Sequence, residues 1–193
     1  DDGDSLLKNE RDIDFERGSI FGRWNQVFAV FVPDSMDDSL VEGYFDSACD
    51  FYLSELKKKG DVFPILSSED VRGHSRGVML AMESSRGVGS LERLEKLYER
   101  GLRLITLTWN HKNRAAGGCD EGGGLTDWGR ELVSKMEKLG IVTDVSHLSD
   151  RSFYDLCEFS DAPFIASHSD ARAVHNEVRS LTDEQIKIII ERG

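Results

Sequence analysis

From residue 26 onward, short apolar runs alternate with longer stretches of helical period, and this alternation constrains the fold more than any other feature of the chain. The runs QVFAVFV, GVMLAM, RLITLTW, GIVTDVS and PFIASHS read as strands, and the pattern is that of a parallel sheet covered by helices. Between the first two runs, Leu40, Val41, Tyr44, Phe45, Ala48, Phe51, Tyr52 and Leu56 form one helical face that ends at KKKG. Ser90, Thr126 and Ser149 stand where helix N-caps belong, and Gly101 and Gly140 where helices terminate. Thr182 with Gln185 makes a capping box for the last helix. The stretch NHKNRAAGGCDEGGG at 110–124 is too polar and Gly-rich for an element and reads as a long loop.

A series of this kind suits either an open doubly wound sheet or a closed (β/α)8 barrel. The polar residues favour the barrel. Glu83 follows VMLAM, Trp109 and Asn110 follow LITLT, His147 follows IVTDVS and His168 follows PFIAS, so each candidate group sits at a strand's C-terminal end. A barrel gathers all such ends onto one face. No GxGxxG or GxxxxGK[ST] loop marks a nucleotide site. Five strands are visible where eight are needed. The expectation is therefore a single α/β domain over 1–193, a TIM-like barrel that is incomplete, with its first strand and last two strands missing.

Lys and Arg number 24 against 36 Asp and Glu, giving a formal charge of −12, which argues against nucleic acid or an anionic membrane surface as a partner. A cationic ligand fits that field better. Cys49, Cys119 and Cys157 are widely spaced without CxxC, which points to a reducing compartment and away from a thiolate zinc site. No apolar run approaches the roughly 18 residues of a membrane span, and DDGDSLLKNERDID lacks a signal-peptide pattern, so a cytoplasmic location is expected.

Two imidazoles and a carboxylate at neighbouring strand ends are the ingredients of a zinc or similar transition-metal site, because neutral nitrogen and anionic oxygen converge there. From the residues alone, His147 and His168 are either such ligands or ordinary hydrogen-bonded loop histidines. Asp144 lies three residues before His147, so a regular strand points the two to opposite faces and leaves Asp144 to support the site from behind.

The segments AMES, ITLTWNHKN, GLTDWGRELVSKMEKLGIVTDVSHLS, APFIASHSDARAV and VRSLTDEQI resemble, in order and spacing, the membrane (renal-type) dipeptidase family of zinc peptidases. The resemblance is strong from about residue 78 to the end and weaker over 1–77. It implies a (β/α)8 barrel with two zinc ions and hydrolysis of dipeptides by a hydroxide shared between them. Carried over, Glu83 is the bridging ligand, and His147 and His168 bind the second metal. The family's His-x-Asp pair falls on Asp2-Gly3-Asp4, either with Asp2 in place of the histidine or with the histidine deleted; Asp4 is a ligand in both registers. An aspartate at Asp2 favours harder cations, so manganese or magnesium suits that first site. The family's substrate-binding arginine falls on Arg179, followed here by Ser180 where asparagine is usual. Trp109 joins the catalytic group as a pocket wall, at a position where some members carry histidine; His111, two residues on, is either a substitute for that histidine or, the favoured reading, an ordinary loop histidine. A later family aspartate has no counterpart. The implied partner is a dipeptide, and a homodimer is compatible with the family. The rival readings are a non-catalytic relative that binds metal or peptide, and another barrel metallohydrolase acting on amides.

Overall fold

The computed structural model describes residues 5–192. After the one-turn helix α1 (Phe15–Gly18) come β1 (Trp24–Phe31), α2 (Asp38–Lys58), β2 (Phe63–Pro64), α3 (Ser68–Gly73), β3 (Arg76–Glu83), α4 (Leu91–Glu99) and β4 (Leu102–Thr106). The chain continues through α5 (Asp127–Leu139), β5 (Val142–Asp144), α6 (Asp150–Phe159), β6 (Phe164–Ile165) and α7 (Asp183–Arg192). Every strand pair is parallel, and the main path runs β1-β3-β4-β5-β6, with the short β2 set beside β3. Apart from β2, the strands follow one another in chain order with no reversal. A doubly wound sheet reverses its order at a switch point; one that never reverses is an arc of a barrel.

The core forms where the helices meet this arc. Phe45, Cys49 and Tyr52 of α2, Leu94 and Leu97 of α4, Leu132, Val133 and Met136 of α5, and Phe153 and Leu156 of α6 are buried together with Leu80 and Met82 of the central β3. The caps read from the sequence are present. Ser90, Thr126 and Ser149 accept from Arg93 N at 3.1 Å, Gly129 N at 2.9 Å and Ser152 N at 3.1 Å, and Gly140 closes α5 at φ +77°. Thr182 and Gln185 exchange bonds of 2.8 and 3.2 Å.

The inward face of α2 is narrower than its apolar period suggests. Val41, Phe45, Cys49 and Tyr52 are buried, whereas Leu40 and Tyr44 are 62% and 42% exposed. Each of the latter precedes a stripe residue by one position, which rotates it about 100° away from the sheet. The elements α1, β2 and α3 were not anticipated. Phe63–Pro64 is too short to show a period of two, and α3, with the sequence SEDVRG, buries none of its residues. Among the described residues no helix is long and apolar enough to cross a membrane, and the three cysteines are free thiols.

Candidate metal centre

β4, β5 and β6 end earlier than their apolar runs, at Thr106, Asp144 and Ile165. Trp109, His147 and His168 are therefore each the third residue past a strand, while Glu83 is the last residue of β3. His147 adopts φ +68° and Ser84, directly after Glu83, φ +81°. Such left-handed conformations cost non-glycine residues about 1–2 kcal/mol and mark places where the backbone is bent to aim a side chain. This overturns the period-two argument for Asp144 and His147, because the strand stops before His147.

The consequence is convergence. His147 Nε2 and His168 Nε2 lie 2.8 Å apart, and Glu83 Oε1 is 3.3 Å from the first and 3.4 Å from the second. Among the described residues these three form the one group of histidine, cysteine and carboxylate side chains disposed to hold a metal ion. A tetrahedral zinc with bonds of about 2.0–2.1 Å has ligand-to-ligand edges of about 3.3 Å. Both edges to Glu83 match, and the third needs to open by about half an ångström.

The groups behind the imidazoles decide what faces inward. His147 Nδ1 lies 2.8 Å from Asn110 Oδ1, a carbonyl oxygen that only accepts, so Nδ1 carries the proton and Nε2 the lone pair. His168 Nδ1 lies 2.7 Å from Ser167 Oγ, whose own proton goes to Asp144 Oδ2 at 2.6 Å. With both imidazoles neutral, two lone pairs and a carboxylate thus point at one another, and a proton on one Nε2 or a metal ion between them relieves the repulsion. The residues present fit a metal. The two imidazoles hold the Glu83 carboxyl down at about 2, and Glu83 in turn raises His168 above the ordinary imidazole value.

The 110–124 loop is tied down rather than loose. Thr108 Oγ1 and Cys119 N donate to the His147 carbonyl at 3.2 and 2.9 Å, and Gly117 N donates to Ser152 Oγ at 2.9 Å. A Cβ on Gly118 would stand 2.4 Å from the Asn110 carbonyl oxygen, so the loop closes on Asn110 only because that position is glycine. Asn110 was legible as a strand-end residue, but its contact with His147 was not.

The other expected site residues divide. Trp109 packs edge-on to Phe31 at 4.7 Å, and its ring lies 6.4 Å from that of His147, as a wall beside the centre. Arg179 is close too, with Nη2 donating to the His168 carbonyl at 2.7 Å. Arg172, which sequence reasoning missed, braces the carbonyls on either side of Arg179, Val178 at 3.1 Å and Ser180 at 2.9 Å, while pairing with Asp150 at 2.8 Å. His111 does not join the centre. It is exposed and its Nδ1 pairs with Asp34 at 2.8 Å. Asp2 and Asp4 lie outside the described residues.

A metal must displace the proton that Glu83 stabilises on His168. Apparent zinc affinity is therefore expected to fall as pH drops, beginning above the ordinary imidazole pKa of about 6.5, by about tenfold per pH unit for each proton displaced. Glu83, already ionised, adds no slope above about pH 4. Chelator competition across a pH series measures this, and a flat profile from pH 5 to 8 would contradict it.

A parallel α/β arc with imidazole and carboxylate donors at its strands' C-terminal ends defines a barrel-type protein with a candidate metal centre. A model of the membrane dipeptidase family, peptidase family M19, matches residues 8–193, and the chain belongs to that family. It is similar to an uncharacterized protein of Acinetobacter calcoaceticus encoded in the PQQ-III 3' region, with 32% identity over 64% of this chain. Among solved structures it resembles the dipeptidase AC, a metallopeptidase of family M19, with a TM-score of 0.85 and 26% identity over 93% of this chain. It also shares the fold of a metallopeptidase from Rhodobacter sphaeroides bound to a phosphinate mimic of the dipeptide L-Ala-D-Ala, with a TM-score of 0.80 and 24% identity over 97% of this chain. The chain spans 42% of the Acinetobacter protein's length and 60% and 65% of the two structures, so the barrel is partial.

Proposed function

We propose that the protein is a metal-dependent dipeptidase whose centre is built on Glu83, His147 and His168. The observation that carries this reading is the meeting of two Nε2 atoms and a carboxylate oxygen at 2.8–3.4 Å, from the last residue of β3 and from just past β5 and β6. Membership of the M19 family and the dipeptide mimic bound to the Rhodobacter relative support the substrate class. Two zinc ions are the cofactors that the family implies, with manganese or magnesium suited to a first site completed by Asp2 and Asp4. Bound metal supplies Lewis acidity for the scissile carbonyl and activates water near neutral pH.

The chain's own residues supply the rest. Glu83 stays ionised at any working pH and brings the negative charge that offsets two cations. His147 and His168 present Nε2 because their Nδ1 protons are engaged behind them. Trp109 and Phe31 form an apolar wall that limits water on one side of the substrate. Arg179, braced through its neighbours by Arg172, pairs with the free carboxylate of a dipeptide and thereby selects short substrates with an exposed C-terminus.

The test compares dipeptides with their C-terminally amidated analogues in the zinc-loaded intact protein. Arg179→Met is expected to weaken dipeptides by about 2–5 kcal/mol, the scale for truncating one partner of a buried charge pair, and to affect the amides little. Equal losses on both would remove Arg179 from carboxylate recognition, and no hydrolysis of either by the wild type would overturn the reading.

A further inference from the structure

Behind His168 lies a hydrogen-bonded chain that a metal ligand does not by itself require. Asp144 is fully buried at the end of β5, and its carboxylate accepts four bonds. Thr106 Oγ1 at 2.7 Å and Ser167 Oγ at 2.6 Å donate to Oδ2, and Ser146 N at 3.1 Å and Ser167 N at 3.0 Å donate to Oδ1. Ser167 Oγ also stands 2.7 Å from His168 Nδ1. The hydroxyl owns one proton. Were it turned toward Nδ1, a lone pair would face the Asp144 carboxylate at 2.6 Å, so the proton goes to Asp144 and the imidazole donates Nδ1–H to Ser167. The serine before the other histidine acts on the same residue, since Ser146 Oγ accepts from the His168 backbone N–H at 3.1 Å. Both Ser-His endings therefore converge on His168.

We propose that Asp144, acting through the Ser167 hydroxyl, is the positioning residue that fixes His168 as the Nδ1–H tautomer and keeps its Nε2 open toward Glu83 and His147. The two imidazoles are supported unequally. His147 rests on the neutral carboxamide of Asn110, whereas His168 is linked through one hydroxyl to a buried carboxylate. The affinity readout below rests on the metal reading of the site; the tautomer readout does not.

The experiment combines the two. Zinc affinity, measured by chelator competition, is expected to fall about 10–100-fold in Ser167→Ala, the usual effect of losing a group that orients a ligand, and to recover in Ser167→Thr, which restores the hydroxyl at a solvent-exposed position. Nitrogen-15 chemical shifts of His168 in the zinc-free protein at about pH 9, well above the ordinary imidazole pKa of about 6.5, should report Nδ1–H in the wild type and in Ser167→Thr, and a shift toward Nε2–H in Ser167→Ala. A purely structural serine would leave that ratio unmoved. Wild-type zinc affinity in Ser167→Ala, or an Nε2–H tautomer in the wild type, overturns the proposal. A wild-type protein that binds no zinc overturns the metal reading instead, and the tautomer alone then decides on the relay. Should Ser167→Ala fail to fold, the wild type and Ser167→Thr still give the tautomer.

Discussion

The His168→Ala variant is expected to lose about one equivalent of bound metal and, with it, hydrolysis of dipeptides. A site with three or four donors rarely survives the loss of one, and here the deletion leaves Glu83 and His147 as the only described donors of the centre. The choice of His168 over His147 makes the result readable. The His168 side chain is 42% exposed, so truncating it removes little packing and is expected to cost folding stability under about 1 kcal/mol. His147 is 3% exposed, sits at φ +68° and anchors the 110–124 loop through its carbonyl, so changes there mix loss of metal with loss of fold. Metal analysis on the folded His168→Ala protein measures the outcome. Unchanged metal content would show that His168 is not a ligand, and the convergence of the three side chains would then need another explanation.

The sequence made the architecture legible because its signals are local. Five apolar runs became five strands, and the caps at Ser90, Thr126, Ser149 and Thr182 each formed, since a cap needs only residues three positions apart. The location of Glu83, His147 and His168 at the C-terminal ends of strands followed from the same alternation, and the motif order then gave each its expected role. What stayed hidden depends on contacts distant along the chain. Asn110 meets His147 across 37 positions and Thr106 meets Asp144 across 38, and nothing in either residue's neighbourhood announces its partner. Arg172 looked like any polar loop residue until its bonds to Val178, Ser180 and Asp150 were seen. The placement of Asp144 behind the site rests on a different reason from the strand alternation that suggested it. The residue lies there because four donors, from the end of β4 and from the segments just past β5 and β6, surround its carboxylate.

That enclosure sets the largest expected effect on stability. Asp144→Ala removes an acceptor from Thr106 Oγ1, Ser167 Oγ, Ser146 N and Ser167 N together. Ser167 is exposed and can turn its hydroxyl to water, but Thr106 and Ser146 are buried, and donors left unpaired there cost about 1–3 kcal/mol each. With the cavity left by the carboxylate, the loss is expected to be about 3–5 kcal/mol, which for a domain of this size lowers the melting temperature by roughly 6–20 °C. Asp144→Asn should fall between Asp144→Ala and the wild type, because its oxygen can still accept the two backbone N–H groups while the hydroxyls of Thr106 and Ser167 reorient to accept from its amide. Ser167→Ala should be milder still. The comparison belongs in chelator, since bound metal would add its own stabilisation by mass action and mask part of the difference. An Asp144→Ala protein melting within about 2 °C of the wild type would mean that these four bonds carry little net energy, and that the ends of β5 and β6 are held together by the Phe153 and Phe164 packing beneath them rather than by the carboxylate between them.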